Sequence, residues 1–211
     1  MSTGSNETIM CVEDSFLAAR IGGEGFVAAT EADLLAWLPP EAIWFAPRAA
    51  IEHRPDFRQI VPYIVVRYEN AVVAYRRTPH GDEPRLFDRL SIGIGGHIRL
   101  QDSVDRDGVL DVRATINRAA MREFTEEIDA QLSTNKCVLG VIYDRGDAVN
   151  SVHLGIVEMW DLASAQITLR ESSLAEHLWL GPDDIASHIE RMEGWSVLVA
   201  GALKTIGVLS R

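Results

Sequence analysis

Cysteine is nearly missing from this chain. Among 211 residues only Cys11 and Cys137 occur. One disulfide is arithmetically available, a disulfide framework is not, and a structural zinc site would need other ligands. Long apolar runs are missing too: no stretch reaches the roughly 18 uninterrupted apolar residues of a transmembrane helix, so no membrane span is expected. Met1 to Thr8 is polar and lacks a basic start followed by an apolar run, so no signal peptide is expected, and a cytoplasmic, reduced protein is the default. Positive charge is in deficit. Twenty Lys and Arg against 31 Asp and Glu leave a net charge of −11, a field that repels nucleic-acid polymers and anionic membranes alike. It would also repel a polyphosphate, so phosphate chemistry here needs bound metal or locally placed arginines. Aromatic residues make up 7%. The tryptophans at 37, 44, 160, 179 and 195 are scattered, which suits packing or an interface and not a base-stacking cage.

What is present suffices for a core. Hydrophobic residues make up 47% of the chain, and its length fits one large domain, or one domain with an elaborated N-terminus. Residues 1–10 read as a loose tail. Glu31 to Trp37 reads as a helix capped by Thr30 and ended by Pro39-Pro40. Gln59 to Tyr68, with Ile64-Val65-Val66, and Ala71 to Arg77 read as strands joined by a tight turn at Glu69-Asn70. Thr78 to Leu86 reads as a polar loop. Ser91 to His97, S-I-G-I-G-G-H, is punctuated by glycine, and Arg99 to Gly108 reads as an exposed loop. Residues from about 111 to 128 form the clearest helix. Cys137 to Tyr143 and Val152 to Trp160 are expected strands, with a further short one at Ile167 to Leu169. Pro182 to Met192 and Trp195 to Leu209 are expected helices. Strands and helices in this order define a mixed α/β domain.

The informative stretch is Arg122-Glu123-Phe124-Thr125-Glu126-Glu127-Ile128. On a helix at about 100° per residue, Glu123, Glu126 and Glu127 share an arc of about 100°. Met121, Phe124 and Ile128 make the apolar stripe, and Arg118, Arg122, Thr125 and Asp129 fall on the solvent side. Three like charges beside apolar packing repel each other unless neutralised. A hard divalent cation does that, and clustered oxygens suit Mg²⁺ or Mn²⁺. The plainer alternative is a solvated acidic helix face.

Arg122 to Glu127 resembles the R-E-U-x-E-E half of the Nudix box, and Gly95-Gly96-His97 resembles the glycine pair that opens it. The wider pattern is similar to a branch of predicted phosphoesterases in that family, through Gln59-Ile60-Val61-Pro62-Tyr63, Tyr75-Arg76-Arg77, Ser91 to His97 and His153-Leu154-Gly155. It covers roughly residues 44–200. The resemblance implies a Nudix-like α/β/α sandwich with a mixed sheet, residues 1–45 being an N-terminal extension of the domain formed by 46–211, a lid or a homodimer contact. It implies that Glu123, Glu126, Glu127 and the Gly96 carbonyl bind Mg²⁺ or Mn²⁺, and that Arg122 orients a glutamate. Glu126, Glu127 and Arg122 are the expected catalytic residues.

Two departures stand out. The box glutamate eight residues before the arginine is Ala114 here, and the glycine after the glutamate pair is Asp129. About a dozen residues are inserted between Gly96 and Arg122, where Asp102, Asp105, Asp107 or Asp111 could replace the missing carboxylate.

Five residues are weaker candidates for substrate contact. Arg76 and Arg77 would hold phosphates or are strand-end charges. His97 would contact substrate or order its loop. His153 is a core histidine or a site residue, and Asp144, at a strand end, could supply an extra metal ligand or base. The implied activity is metal-dependent cleavage of a phosphoanhydride bond in a nucleoside-diphosphate-X type or similar small phosphorylated substrate. The alternative is a Nudix-fold ligand-binding or regulatory protein without hydrolysis.

Overall fold

The computed structural model describes residues 7–79 and 86–209. Most of the expected loop at Thr78 to Leu86, and residues 1–6 of the expected tail, lie outside the described residues. The α/β class with a large mixed sheet, expected from the sequence, is what the structure shows. In chain order the elements begin with β1 (Thr8–Glu13), α1 (Asp14–Ala18), β2 (Gly25–Ala28), α2 (Glu31–Trp37), β3 (Ile43–Pro47) and α3 (Arg48–Ile51). There follow β4 (Phe57–Tyr68), β5 (Ala71–Arg77), β6 (Leu90–Ser91), β7 (Asp105–Arg106), β8 (Val109–Leu110) and α4 (Val112–Glu127). The chain ends with β9 (Ile128–Tyr143), β10 (His153–Leu169), β11 (Leu174–Leu180), α5 (Pro182–His188) and α6 (Gly194–Thr205). The contacts divide into two compact units: Met1–Tyr63, Gly95–Arg122 and Val138–Val157 form the first, and Ile64–Ile94, Glu123–Cys137 and Glu158–Arg211 the second.

In the first unit, β1 pairs antiparallel with β3, Ile9 opposite Ala46 and Cys11 opposite Trp44, and with β4, Cys11 opposite Gln59. Residues 8–10, the described end of the expected tail apart from Glu7, therefore belong to a strand that runs on to Glu13. Its side chains alternate: Met10 and Val12 join Ile60, Ile98, Ile116, Val141 and Leu154 in the main core, while Ile9 and Cys11 pack with Ile51 on the other side. β2 pairs with β9, Ala28 opposite Gly140. α2 forms where expected because Thr30 and Asp33 exchange side-chain and backbone bonds across its first turn, a capping box that satisfies two otherwise orphaned donors. The expected exposed loop after Arg99 is built instead. Leu100–Asp102 is a 3₁₀ turn around a buried Asp102, and β7 and β8 form a hairpin. Asp107 and Gly108 turn it at φ 55° and 81°, the left-handed pair that a two-residue turn requires.

In the second unit, β5 pairs with the end of β4 (Tyr68 opposite Ala71), with β6 (Tyr75 opposite Ser91) and with β11 (Trp179 opposite Val73). β11 was not expected; its alternation is interrupted by a bulge between Ala175 and His177. β9 begins directly after α4, well before the expected start at Cys137, and β10 absorbs the short strand expected at 167–169. Phe124, at the end of α4, packs on the buried Trp160 with ring centroids 5.5 Å apart. α6 buries Val199, Ala200, Ala202 and Leu203. Among the described residues no helix is long and apolar enough to cross a membrane.

Candidate active site

α4 starts where Asp111 accepts the Ala114 backbone N–H at 2.9 Å, a side-chain cap. Its buried stripe runs from Val112 through Ile116, Ala119 and Ala120 to Phe124, and it includes two charged residues: Glu123 and Glu127 are each only 8% exposed. Glu126 points outward. Met121, expected in the stripe, is 37% exposed, and Arg122, expected on the solvent side, is largely enclosed. The helix is therefore rotated from the expected orientation so that carboxylates, not methionine, continue the buried face. A carboxylate in such a place must be neutralised or bonded.

In the first unit, Arg122 forms a two-point bond to Asp102, Nε to Oδ1 at 3.0 Å and Nη2 to Oδ2 at 2.8 Å, and Nη2 also donates to the His97 carbonyl at 3.0 Å. Burial raises the Asp102 carboxyl, but the bonds from Arg122 and from the Arg99 N–H outweigh it and hold the group below its ordinary range. The clamp thus fixes the segment after Gly95-Gly96. That segment must run close to β4: a Cβ on Gly95 would sit 1.7 Å from the Pro62 carbonyl oxygen, so only glycine fits. Asp102 is thereby occupied as the partner of Arg122, Asp111 caps α4 and pairs with Arg106, and Asp105 accepts the Gly108 N–H.

Breaking the clamp should show in stability. Asp102→Asn should lower the unfolding free energy by about 1.5–3 kcal/mol, the range for a charge-assisted bond lost in a buried place. Since the folded Asp102 titrates below its unfolded value, its contribution is present above about pH 4 and fades as pH falls through the depressed folded value. Denaturant melts of both proteins from pH 7 down to acid check this: the difference between them should shrink on acidification.

His97 and His153 face each other, Nε2 to Nε2, at 3.3 Å. His153 Nδ1 donates to the Val149 carbonyl at 2.7 Å, so His153 Nε2 is bare and accepts from His97 Nε2–H, which leaves a lone pair on His97 Nδ1. Burial, then His153, Arg48 and Arg99, push His97 down to about 3; burial also lowers His153 against its bond to Val149. Both imidazoles are neutral at physiological pH.

In the second unit, Glu127 meets a second cluster. Arg77 donates to the buried Glu193, Nε to Oε2 at 2.7 Å, and Ser91 Oγ donates to Glu193 Oε1 at 2.7 Å. Tyr75, fully enclosed, donates to the Gly93 carbonyl at 2.5 Å, and its phenol lies well above the ordinary range, through burial first. Burial opposes the Arg77 charge, but Tyr75, then Glu193 and Glu127, together more than restore it. Arg77 and Glu127, both singled out from sequence, are thus brought within reach of each other's charge. Arg76 is not drawn in: it pairs with Glu176 and Asp88. Asp144 bonds Asn150 Nδ2 and the Arg145 and Gly146 N–H groups within its own turn. Glu193 was missed in the sequence, where a lone glutamate before an apolar helix reads as a cap. So was Arg58, whose only signal was a charge at the head of an apolar strand.

No family model matches the chain. Among solved structures, Tm1382, described as a candidate Nudix hydrolase, superposes with a TM-score of 0.79 at 26% identity over 95% of this chain and 100% of its own. The NUDIX domain of Shewanella oneidensis NrtR, crystallised with ADP ribose, shares the fold with a TM-score of 0.51 at 12% identity, over 84% of this chain and 99% of that one. This is a Nudix-fold protein. More narrowly, it is 31% identical to protein YmaB of Bacillus subtilis over 165 residues, which are 74% of this chain and 76% of YmaB, and the chain belongs to the YmaB family.

Proposed function

We propose that this protein is a metal-dependent Nudix-type hydrolase that cleaves a phosphoanhydride bond in a nucleoside-diphosphate-X type or similar small substrate. The observation that carries the reading is the pair of buried carboxylates, Glu123 and Glu127, one turn apart on α4. No structural purpose of an acidic surface places two of three glutamates inside. In kind, this donor set fits a hard divalent cation. Among the described residues no three His, Cys, Asp or Glu side chains already stand in a metal-holding arrangement, so the outward Glu126 would have to turn in. Glu123, Glu126 and Glu127 would hold Mg²⁺ or Mn²⁺, with the Gly96 carbonyl a further ligand on the resemblance alone. Bound there, the cation supplies charge neutralisation at phosphate and acidifies water.

The chain's own groups would do the rest. Arg122 holds the loop at His97. Arg77, with Arg76 as the outlying second cation, would orient phosphate oxygens. Glu127 or Glu126 would take the proton from the attacking water. Asp144 and His153 are assigned to substrate contact. The division into a 1–45 extension and a 46–211 hydrolase domain, the homodimer contact and a cytoplasmic location belong to the same proposal.

A second reading, a Nudix-fold ligand-binding protein without turnover, is favoured by Ala114 in place of the box glutamate and by the ion pairs that engage Arg76 and Arg77.

The deciding experiment is a panel of nucleoside diphosphate derivatives and dinucleotides incubated with Mg²⁺ and with Mn²⁺. Turnover dependent on one cation is expected. The same cation at about 100-fold over its dissociation constant should stabilise the protein by roughly 2.7 kcal/mol, seen as a raised melting midpoint. A raised midpoint without turnover on any compound selects the binding protein. An unchanged midpoint with both cations at millimolar concentration, and no turnover, defeats both the metal site and the hydrolase.

A further inference from the structure

Glu193 stands immediately before α6, where an acidic side chain would serve to cap the helix. It does not: its side chain makes no capping bond. The carboxylate, only 5% exposed, is turned instead to Arg77, which donates from Nε to Oε2 at 2.7 Å and from Nη2 to Oε1 at 3.4 Å. Three bonds tie this corner to β6 and the residue after it. Ser91 Oγ donates to Glu193 Oε1 at 2.7 Å, the Glu193 N–H to the Leu90 carbonyl at 3.0 Å, and the Ile92 N–H to Ser196 Oγ at 3.0 Å. A carboxylate is costly to enclose, and this one gives nothing back to its own helix. Its purpose lies with Arg77.

The backbone says what else Arg77 can reach. At the end of β5, Arg77 stands opposite Leu174 of β11, and the next residue, Thr78, donates its N–H to the Ser173 carbonyl at 2.8 Å. At the other end of the same short turn, the Arg170 N–H donates to the Glu127 carbonyl at 2.8 Å. Residues 170–174 therefore bridge the last residue of β5 and the last residue of α4. Both side chains are long, and Glu127 is buried. The charges register this closeness: of the carboxylates that act on Arg77, Glu193 comes first and Glu127 second, and Glu127 also acts on Tyr75, whose ring lies 5.7 Å from the guanidinium.

A buried carboxylate and a guanidinium within reach of each other attract strongly, because little water screens them. Yet the ion pair that Arg77 makes is with Glu193. Two points of contact commit the guanidinium fork to that one carboxylate.

We propose that Glu193, held by Ser91, is a positioning residue that withholds Arg77 from Glu127 and so leaves the Glu127 carboxylate open to a divalent cation. The inference rests on the hydrolase reading only in taking Glu127 to be a cation ligand. The choice Arg77 makes between two carboxylates is a property of the metal-free protein.

Two measurements test it. In the first, Mn²⁺ is titrated into metal-free protein and the free ion is followed by electron paramagnetic resonance. Glu193→Gln keeps the shape and removes the charge, so Arg77 should turn to Glu127. Mn²⁺ affinity should then fall about 10- to 100-fold, as it does when only roughly a tenth to a hundredth of the molecules can bind. Adding Arg77→Met should restore the affinity to the wild-type value or above. A merely structural glutamate predicts no rescue, since Arg77→Met would add a second defect.

The second measurement needs no cation. Arg77→Met and Glu127→Gln, singly and together, are melted in the wild-type and Glu193→Gln backgrounds. Their midpoint shifts should depart further from additivity in the second background, by about 3–10 °C, because the two residues have become partners. Ser91→Ala, which unties Glu193, should move both readouts in the same direction and serves as the background if Glu193→Gln does not fold. Equal departure from additivity in the two backgrounds would overturn the inference. So would a wild-type Mn²⁺ affinity that Glu193→Gln leaves unchanged, or a loss that Arg77→Met does not reverse. A wild type that binds no Mn²⁺ but shows the changed coupling keeps the withholding of Arg77 and loses the metal site. An active hydrolase whose Mn²⁺ affinity ignores Glu193 does the reverse.

Discussion

Glu127→Gln is expected to lower kcat/KM by roughly 10²–10⁴-fold, a loss of about 3–5 kcal/mol of transition-state stabilisation, and to do so with little change in the stability of the metal-free protein. The side chain keeps its shape and loses one charge. That charge sits in a buried position at the end of α4, where it is felt by Arg77 and Tyr75. Two consequences for stability oppose each other. Removing it relieves repulsion with Glu123 one turn away, and it deprives Arg77 of one of two carboxylates. Arg77 retains its bond to Glu193, so the net change in the apo melt should stay within about 1 kcal/mol. Steady-state rates on the substrate found by the panel, with metal-free melts of both proteins, supply the data. An acidic surface predicts near-wild-type rates. If kcat/KM in the variant equals that of wild type, the catalytic assignment of Glu127 fails, and with it the reading of α4 as the reactive helix.

The elements legible in the sequence were those whose signals are local. α2 begins at its Thr30 cap and stops before Pro39-Pro40, and β5 runs from a tight turn to the two arginines, both as expected. The 3.6-residue period found α4 and its acidic arc. What it could not give was the rotation of that helix. Period alone ranked Met121 as apolar stripe and Arg122 as solvent, whereas the ion pair with Asp102, twenty residues upstream, draws Arg122 inward. The hairpin at 105–110 did carry a signal, Asp107-Gly108, but its strands are two residues each, too short for alternation to register. β1 and β11 were missed because their reason for being strands lies in distant partners, β3 and β4 for one and β5 for the other. The same holds for the site. Glutamates on one helix can be counted from sequence. The Glu193 carboxylate that engages Arg77, and the facing imidazoles of His97 and His153, depend on pairings that no local window contains.

The largest expected loss of stability lies outside the helix, at Arg58. This guanidinium is 0% exposed and donates from Nε to Asp14 at 2.7 Å and from Nη1 to the carbonyls of Asp144 and Asn150 at 2.8 Å and of His153 at 3.3 Å. It also lies over the Tyr143 ring at 4.6 Å. Asp14→Ala leaves a buried cation with dipoles but no counter-charge, and removing one partner of such a pair costs about 3–5 kcal/mol. Arg145 also bonds Asp14 but is 41% exposed and keeps Glu24; its loss, as Arg145→Met, should cost about 1 kcal/mol or less. The contrast separates a buried pair from a surface one that shares the same carboxylate. Burial raises the Asp14 carboxyl, but bonds from Arg145, Arg58 and Tyr143 outweigh it and hold the group below its ordinary value. With a depressed folded value, its stabilisation is present above about pH 4 and is lost as pH falls through the folded titration. Denaturant melts should therefore show wild type losing stability on acidification faster than Asp14→Ala. A variant as stable as wild type at pH 7 would show that Arg58 needs no counter-charge, and that its three carbonyl partners suffice.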